Sequence, residues 1–313
     1  MGKYVFGVDI GGTTVKMGFF AEDGGLWEKW EIPTNTSDEG AMILPNVVNS
    51  IRGKMIERGI TEEDIIGIGV GAPGAVDEDG MLVGGAVNLG WKSFHIPKAL
   101  GAYINVPVKA ANDANVAAYG ELWQGGGKGC GNMVAVTLGT GVGGGIVVNG
   151  KLLTGANGAG GEIGHIHIQD GEPDTCGCGK KGCLEQYASA TGIVRLAERR
   201  LKRDAAPSML RQGTLSAKAV FDGVKAGDKV AVEIAEQFGE YLGKGLAAIA
   251  AVVNPEVFVI GGGVSKAGEI LFDFIEPQFR KYVFAPCAET KFAIAQLGND
   301  AGIYGAAALF LKK

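Results

Sequence analysis

Short apolar segments alternate with glycine-rich turns along the N-terminal part of the chain. Three of them have the length and the β-branched or aromatic content of strands: KYVFGVDI, VKMGFF and LWEKWEI, separated by the turns GGTT and EDGG. The same order of strand, glycine turn and strand returns in NMVAVTL, GTGVGG and GIVVNG. Two lobes that each open in this way indicate a duplicated ancestral unit.

Helical patterns alternate with further strands. Helices are predicted in DEGAMILPNVVNSIRGKMIERG, with a break at its proline, and in NVAAYGELWQ, DKVAVEIAEQFGEYLGKGLAAIAAVV, SKAGEILFDFIEPQF and AGIYGAAALFLKK. Strands are predicted between them in IIGIGVGA, PVKAAND and EVFVIGGG. This alternation favours an α/β fold with mostly parallel sheets, and a length of 313 residues favours two domains.

Charge and hydropathy narrow the classes of function. A formal net charge of -5 argues against a nucleic-acid partner, and the basic run RLAERRLKRD is interpreted as a solvated helix face. No apolar run approaches the ~20 residues that span a bilayer, and the N-terminus lacks the pattern of a signal peptide. We therefore expect a cytoplasmic protein without a membrane partner.

Two glycine turns, DIGGTT and LGTGVGGG, have the composition of phosphate-binding loops, since glycine leaves backbone N–H groups open to an anion. Each turn leads into a strand, which excludes a P-loop and a dinucleotide fingerprint because both of these open a helix. A pair of such hairpins with Asp9 at the first could hold a triphosphate and Mg²⁺. Thr13, Thr14 and Thr140 add hydroxyl donors. Either hairpin alone could also be an ordinary tight turn.

A third glycine segment, VIGGGVSKAG, is predicted to run from strand through glycines to helix, as an adenine-nucleotide contact would. The same pattern also describes a simple helix entry.

The segment PVKAAND is predicted to deliver Asn112 and Asp113 to the carboxyl end of a strand, where open α/β sheets bind ligands. Asp113 is the candidate general base for a phosphoryl transfer to an alcohol, and Asn112 could orient a sugar hydroxyl. The alternative is that Asp113 or Asn115 only caps the following helix.

Three of the five cysteines, Cys176, Cys178 and Cys183, lie in one glycine-rich segment, which favours metal ligation over disulfides. With one histidine they complete a closed tetrahedral zinc site, which has no position for a reactive water and is therefore structural. His165 and His167 are the two candidates for the fourth ligand. They would point to opposite faces if the segment is extended.

Taken together, the motifs DIGGTTVK, NDANVAAYGE, LGTGVGGG, GEIGH, CGCGKKGCLEQYASATG and VIGGGV resemble the ROK family of sugar kinases and repressors. The resemblance implies a two-lobed actin/hexokinase-like (ribonuclease H-like) α/β fold with a cleft between the lobes. It implies a small lobe of residues 1–112 completed by a C-terminal helix, 300–313. The larger lobe, 113–299, would carry the zinc-binding loop and an oligomerisation surface, and relatives suggest a homodimer.

The resemblance further implies ATP-dependent phosphorylation of glucose at its 6-hydroxyl, with Asp113 as general base. The implied sugar contacts are Asn112, Asp113, Glu162, His165 and Glu185. The implied nucleotide contacts are Asp9, Gly11, Gly12, Thr13, Thr14, Lys16, Gly139, Thr140, Gly141, Gly261, Gly262 and Gly263. The motif GExGH selects His165 to join Cys176, Cys178 and Cys183 as the zinc ligands.

Three alternatives stay open at the level of the sequence. The sugar could be another hexose, such as N-acetylmannosamine, fructose or allose, and the donor could be ADP or polyphosphate. The protein could also be a sugar-sensing regulator without catalysis. Because the first hairpin begins a few residues from Met1, it leaves no room for the helix-turn-helix of the family's repressors, so an enzyme is expected.

Overall fold

The computed structural model describes residues 2–312 of the chain. Two ends of the predicted elements lie outside this range: Met1 of the small lobe and Lys313 of the C-terminal helix. The strands within it, β1 to β13, are Tyr4–Ile10, Thr14–Ala21, Leu26–Pro33, Ile65–Ala72, Ala75–Val76, Met81–Val83, Phe94–His95, Val108–Asn112, Met133–Leu138, Val142–Val148, Lys151–Leu152, Val257–Gly261 and Lys291–Ile294. The helices, α1 to α10, are Ser37–Gly40, Ile43–Arg58, Ile96–Gly101, Asp113–Gln124, Glu185–Ala188, Ala190–Leu201, Ala217–Lys225, Lys229–Val253, Ile270–Tyr282 and Ala301–Leu311.

Two five-stranded sheets with the same internal order form the framework. The first has the order β3-β2-β1-β4-β8 and the second the order β11-β10-β9-β12-β13. In each sheet the first three strands are antiparallel neighbours and the last two run parallel to the central strand. The predicted repeat of strand, glycine turn and strand is therefore part of a repeat of whole sheets.

A small third sheet, β5-β6-β7, was not predicted from the sequence. Its strands are two or three residues long, too short to show a period-2 pattern. The predicted break at Pro45 is wrong. Pro45 lies in the first turn of α2, where a missing N–H costs no hydrogen bond.

The C-terminal helix α10 packs against the first sheet and against α4, as the family resemblance implies. Glycines on both sides allow direct backbone contact: a Cβ at Gly69 of β4 would lie 1.8 Å from the carbonyl oxygen of Ala306. A Cβ at Gly305 would lie 1.5 Å from the carbonyl oxygen of Val116 in α4. Helix α4 also packs on β9 and β10 of the second sheet, so it joins the two halves, and the exact lobe boundary stays a prediction.

Helices α6 to α9 cover the second sheet and share its core. The long helix α8 is capped by Asp228, whose side chain accepts from the backbone N–H groups of Val230 and Ala231 at 2.9 and 3.1 Å. The basic run on α6 is not wholly solvated, because Arg200 is buried and pairs with Glu233 and Asp204. Within residues 2–312, no helix combines the length and apolar character required to cross a membrane.

Candidate active site

Asp9 lies near the carboxyl end of β1, directly opposite Lys16 of β2. Its carboxylate packs on the start of α10, since a Cβ at Gly302 would lie 2.3 Å from its Oδ2. Burial and, to a smaller extent, the nearby Asp113 raise the pKa of Asp9, Lys16 lowers it, and the net result is a pKa of about 6. The two aspartates are therefore neighbours in one acidic cluster at the predicted phosphate hairpin.

Asp113 is the first residue of α4, and the residue that caps this helix is Asn112. The side chain of Asn112 accepts from the backbone N–H of Asn115 at 3.1 Å, so neither Asp113 nor Asn115 is the cap. Its amide nitrogen donates to Asp113 Oδ1 and to the carbonyl of Gly74, both at 2.9 Å. Asn112 thus holds Asp113 in place through internal bonds.

The Asp113 carboxylate is anchored through one oxygen. Oδ1 accepts hydrogen bonds from the backbone N–H of Ala114 at 2.8 Å and from Asn112. Within residues 2–312, no group donates a hydrogen bond to Oδ2. Burial raises the pKa of Asp113, the charge of Glu162 raises it further, and its hydrogen bonds lower it. A fixed carboxylate with one oxygen left for an incoming proton has the properties of a general base.

The predicted zinc ligands come together. One nitrogen of His165 and the sulfurs of Cys176, Cys178 and Cys183 all lie within 4.8 Å of one another. The Nδ1 of His165 is 3.8 Å from Cys176 Sγ, and the sulfurs of Cys178 and Cys183 are 3.6 Å apart. A tetrahedral zinc with bonds of about 2.0 to 2.3 Å separates its ligand atoms by roughly 3.5 to 3.8 Å, so this donor set fits the ion.

The hydrogen bonds of the two histidines favour His165 over His167 as the fourth ligand. His167 contacts the carbonyl of Lys181 through Nδ1 and the carboxylate of Asp170 through Nε2, each at 3.0 Å, so both of its nitrogens are engaged elsewhere. His165 keeps Nε2 away from the sulfurs, 3.9 Å from an oxygen of Glu162. One ring nitrogen therefore faces the cysteine sulfurs and the other faces Glu162.

Glu185 joins the loop that carries the predicted zinc ligands to the second glycine hairpin. Its Oε1 lies 3.2 Å from Cys176 Sγ, and its Oε2 accepts from the backbone N–H of Val142 at 3.2 Å. Next to it, the Thr191 hydroxyl donates to the carbonyl of Thr140 at 2.7 Å. A cavity of 250 Å³ opens between the hairpin and these residues.

The third glycine segment borders the largest cavity described, of 580 Å³. Gly262 has a φ of 84°, and a Cβ there would lie 2.5 Å from the carbonyl oxygen of Leu138. The sequence predicted that this segment leads directly into a helix. In the structure a 3-10 turn, Val264–Ala267, comes between the glycines and α9. Lys16 contacts one wall residue of this cavity, since its Nζ donates to the carbonyl of Asn299 at 3.2 Å.

A second anchor of the loop that carries the predicted zinc ligands was missed in the sequence. Glu172 is buried and accepts from Arg199 of α6 at 2.6 and 3.0 Å, and it also accepts from the hydroxyl of Tyr187. The Arg199 guanidinium lowers the pKa of Glu172 to about 2. The sequence feature that could have predicted this anchor is the i, i+4 spacing of Arg195 and Arg199, which places both on one face of α6. Both side chains pair with Asp174 of the loop.

Comparison with known proteins finds relatives over nearly the whole chain. The ROK family model matches residues 5–313. A glucokinase of Halalkalibacterium halodurans is 45% identical over 310 residues, which are 97% of this chain and 93% of that protein. A glucokinase of Streptomyces coelicolor is 36% identical over 315 residues, 97% of this chain and 96% of that protein.

Among solved structures, a ROK family glucokinase from Streptomyces griseus in complex with glucose and AMPPNP matches with a TM-score of 0.74. It is 33% identical and covers 99% of this chain and 100% of its own. The fold is therefore the two-lobed actin-like/hexokinase fold of sugar kinases, as expected. The chain belongs to the ROK family, and the prediction from its motifs is confirmed.

Proposed function

We propose that this protein is an ATP-dependent glucokinase, which transfers the γ-phosphoryl group of ATP to the 6-hydroxyl of glucose. The observation that supports this most is Asp113, a partly buried carboxylate anchored by Asn112 and Ala114 through one oxygen, with Glu162 and the zinc-binding loop beside it. Similarity over nearly the whole chain to two proteins named glucokinase supports the choice of glucose.

In the proposed mechanism Asp113 accepts the proton of the 6-hydroxyl as the oxygen attacks the γ-phosphorus, and ADP leaves. A pKa raised by burial makes its carboxylate a stronger base than an exposed aspartate. The glycine hairpins at Gly11 and Gly139 hold the phosphates through backbone N–H groups. Mg²⁺ held near Asp9 would neutralise charge on the phosphates.

The zinc site has a structural role in this proposal. Zinc bound by His165, Cys176, Cys178 and Cys183 would order a loop whose backbone otherwise costs about 1 to 2 kcal/mol per residue to fix. The Nε2 of His165 then faces the sugar together with Glu162 and Glu185. Asn112, whose amide has three internal partners, contributes mainly by fixing Asp113.

The test is a hexose panel with ATP as donor. We expect kcat/KM for glucose to exceed that for N-acetylmannosamine, fructose and allose, and formation of glucose 6-phosphate to match formation of ADP. A higher kcat/KM for one of the other hexoses would replace glucose as substrate. Sugar-dependent retention of DNA with no ADP formed would instead identify a regulator.

The proposal also includes ATP as the phosphoryl donor, a homodimer, a cytoplasmic location and a lobe boundary between residues 112 and 113. Replacing ATP with ADP or polyphosphate in the assay tests the donor, and light scattering of the purified protein tests the dimer.

A further inference from the structure

Glu121, in the last turn of α4, is a buried carboxylate that the mechanism does not use. It is 4% exposed, and no ion pair within residues 2–312 includes it. Its oxygens accept only from backbone N–H groups, those of Gly126 at 2.9 Å, Gln296 at 3.0 Å and Leu297 at 2.8 Å. Burying a charge costs free energy, and these three charge-assisted bonds offset that cost.

The bonds to Gln296 and Leu297 cross from α4 to the link between β13 and α10, more than 170 positions away in the sequence. This link forms one wall of the 580 Å³ cavity, and Gly261, Gly262 and Gly263 lie on another. Glu121 lines the cavity as well. Its carboxylate therefore fixes the backbone of a cavity wall instead of stabilising only its own helix.

The same link is also tied to the first glycine hairpin. Lys16, two residues beyond that hairpin, donates to the carbonyl of Asn299 at 3.2 Å, and Lys29 of β3 pairs with Asp300 at 2.6 Å. Residues 296–300 are thus held by α4 on one side and by the first sheet on the other. Any shift of this wall would change the cavity and the position of Lys16 together.

We propose that Glu121 is a positioning residue for the nucleotide, because its carboxylate fixes the wall of the cavity that receives the nucleoside part of ATP. This inference rests on the proposed function, since it takes the cavity as the nucleotide site. A glutamine cannot replace the carboxylate, because it has one acceptor oxygen and its amino group would face a backbone N–H.

The experiment compares Glu121→Gln with Glu256→Gln. Glu256 is a matched control because its exposed carboxylate also accepts from two backbone N–H groups, of Gly131 and Asn132 at 2.7 and 2.8 Å, outside the cavity. Calorimetry without sugar gives the dissociation constant of AMPPNP, and steady-state kinetics gives KM for ATP and for glucose.

We expect Glu121→Gln to raise the dissociation constant of AMPPNP and KM for ATP about tenfold, with KM for glucose and kcat within about twofold of the wild type. Glu256→Gln should leave all four unchanged. If Glu121→Gln binds AMPPNP as tightly as the wild type, the inference about Glu121 is wrong and the proposed function is unaffected. The same holds if KM for ATP and KM for glucose rise equally. Wild-type protein that binds no AMPPNP overturns the proposed function as well. If Glu121→Gln does not fold, Glu121→Asp replaces it in the experiment, because this variant keeps the charge but shortens the side chain. The same results are expected of it, and the same results would contradict the inference.

Discussion

The two glycine hairpins occupy the same place in sheets of the same strand order, yet their surroundings differ. In the first, Asp9 and Lys16 face each other across the strands, whereas the corresponding pair in the second is Thr137 and Gly143. The second hairpin is instead tied through Glu185 to the loop that carries the predicted zinc ligands. Under the proposed function, the first copy of the unit carries charge suited to chemistry, and the second carries attachments suited to holding substrates.

If this division is right, changes on the first side reduce turnover and changes on the second side weaken binding. The largest expected effect is that of Asp113→Asn beside the first hairpin. Removing the proposed base should lower kcat by about 10²- to 10⁴-fold while the dissociation constant for glucose stays close to that of the wild type. Steady-state kinetics and calorimetry measure the two quantities. Asp23→Asn, in an exposed turn, is the control, and undiminished turnover in Asp113→Asn would remove this residue as the base.

On the second side, Cys178→Ala should remove zinc and raise KM for glucose about 10- to 100-fold, with a smaller effect on kcat. The reason is that His165 loses the ligand set that orients its ring. Elemental analysis of the purified variant reports the zinc content. Cys130→Ala, a cysteine outside the cluster, should keep both zinc and sugar affinity. A zinc-free Cys178→Ala protein with normal KM for glucose would show that the metal does not position the sugar.

A matched pair of threonines sharpens the comparison. Thr34 donates to the carbonyl of Gly11 in the first hairpin and Thr191 to that of Thr140 in the second, both at 2.7 Å. Losing either bond in Thr34→Val or Thr191→Val should raise KM for ATP about two- to tenfold. Only Thr191→Val should also raise KM for glucose, because Thr191 follows Glu185 in the same segment. The same glucose KM in both variants would contradict the division.

The smallest effect concerns pH. Because burial and then Glu162 raise the pKa of Asp113, kcat/KM should fall as the pH drops through this raised value and Asp113 becomes protonated. Glu162→Gln removes a neighbouring negative charge, so the acidic limb of its pH profile should move to lower pH. Glu63→Gln, at an exposed site in the first lobe, provides the comparison. An unmoved limb in Glu162→Gln would mean that another group controls it.

Features encoded within a few residues were predictable. The hairpins, α4, α8 and the cysteine cluster each follow from a local pattern, and they lie where the sequence places them. The choice of His165 over His167 needed the family resemblance. The alternation argument assumed an extended segment, but Ile163–His165 forms a 3-10 turn, so side-chain directions there do not follow a period of two.

Partners that lie far apart in the sequence were not predictable. The hydrogen bonds that Glu121 accepts from Gln296 and Leu297 depend on how α4 and α10 cross. No residue close to Glu121 in the sequence indicates them. The pair of Glu172 and Arg199 joins a loop to a helix whose basic run reads as solvated. In both cases a charged residue is buried because tertiary structure supplies donors that local composition does not reveal.

The position of α10 has a consequence for biosynthesis. Helix α10 is made after both sheets and covers β1 and β4, and its close backbone contacts leave no room for a side chain larger than glycine at Gly69 or Gly305. During translation the apolar face of the first sheet that α10 covers therefore stays exposed until α10 itself has been synthesised. Nascent chains arrested before residue 301 should remain sensitive to protease in this region and should associate with chaperones, even when the second sheet has already folded.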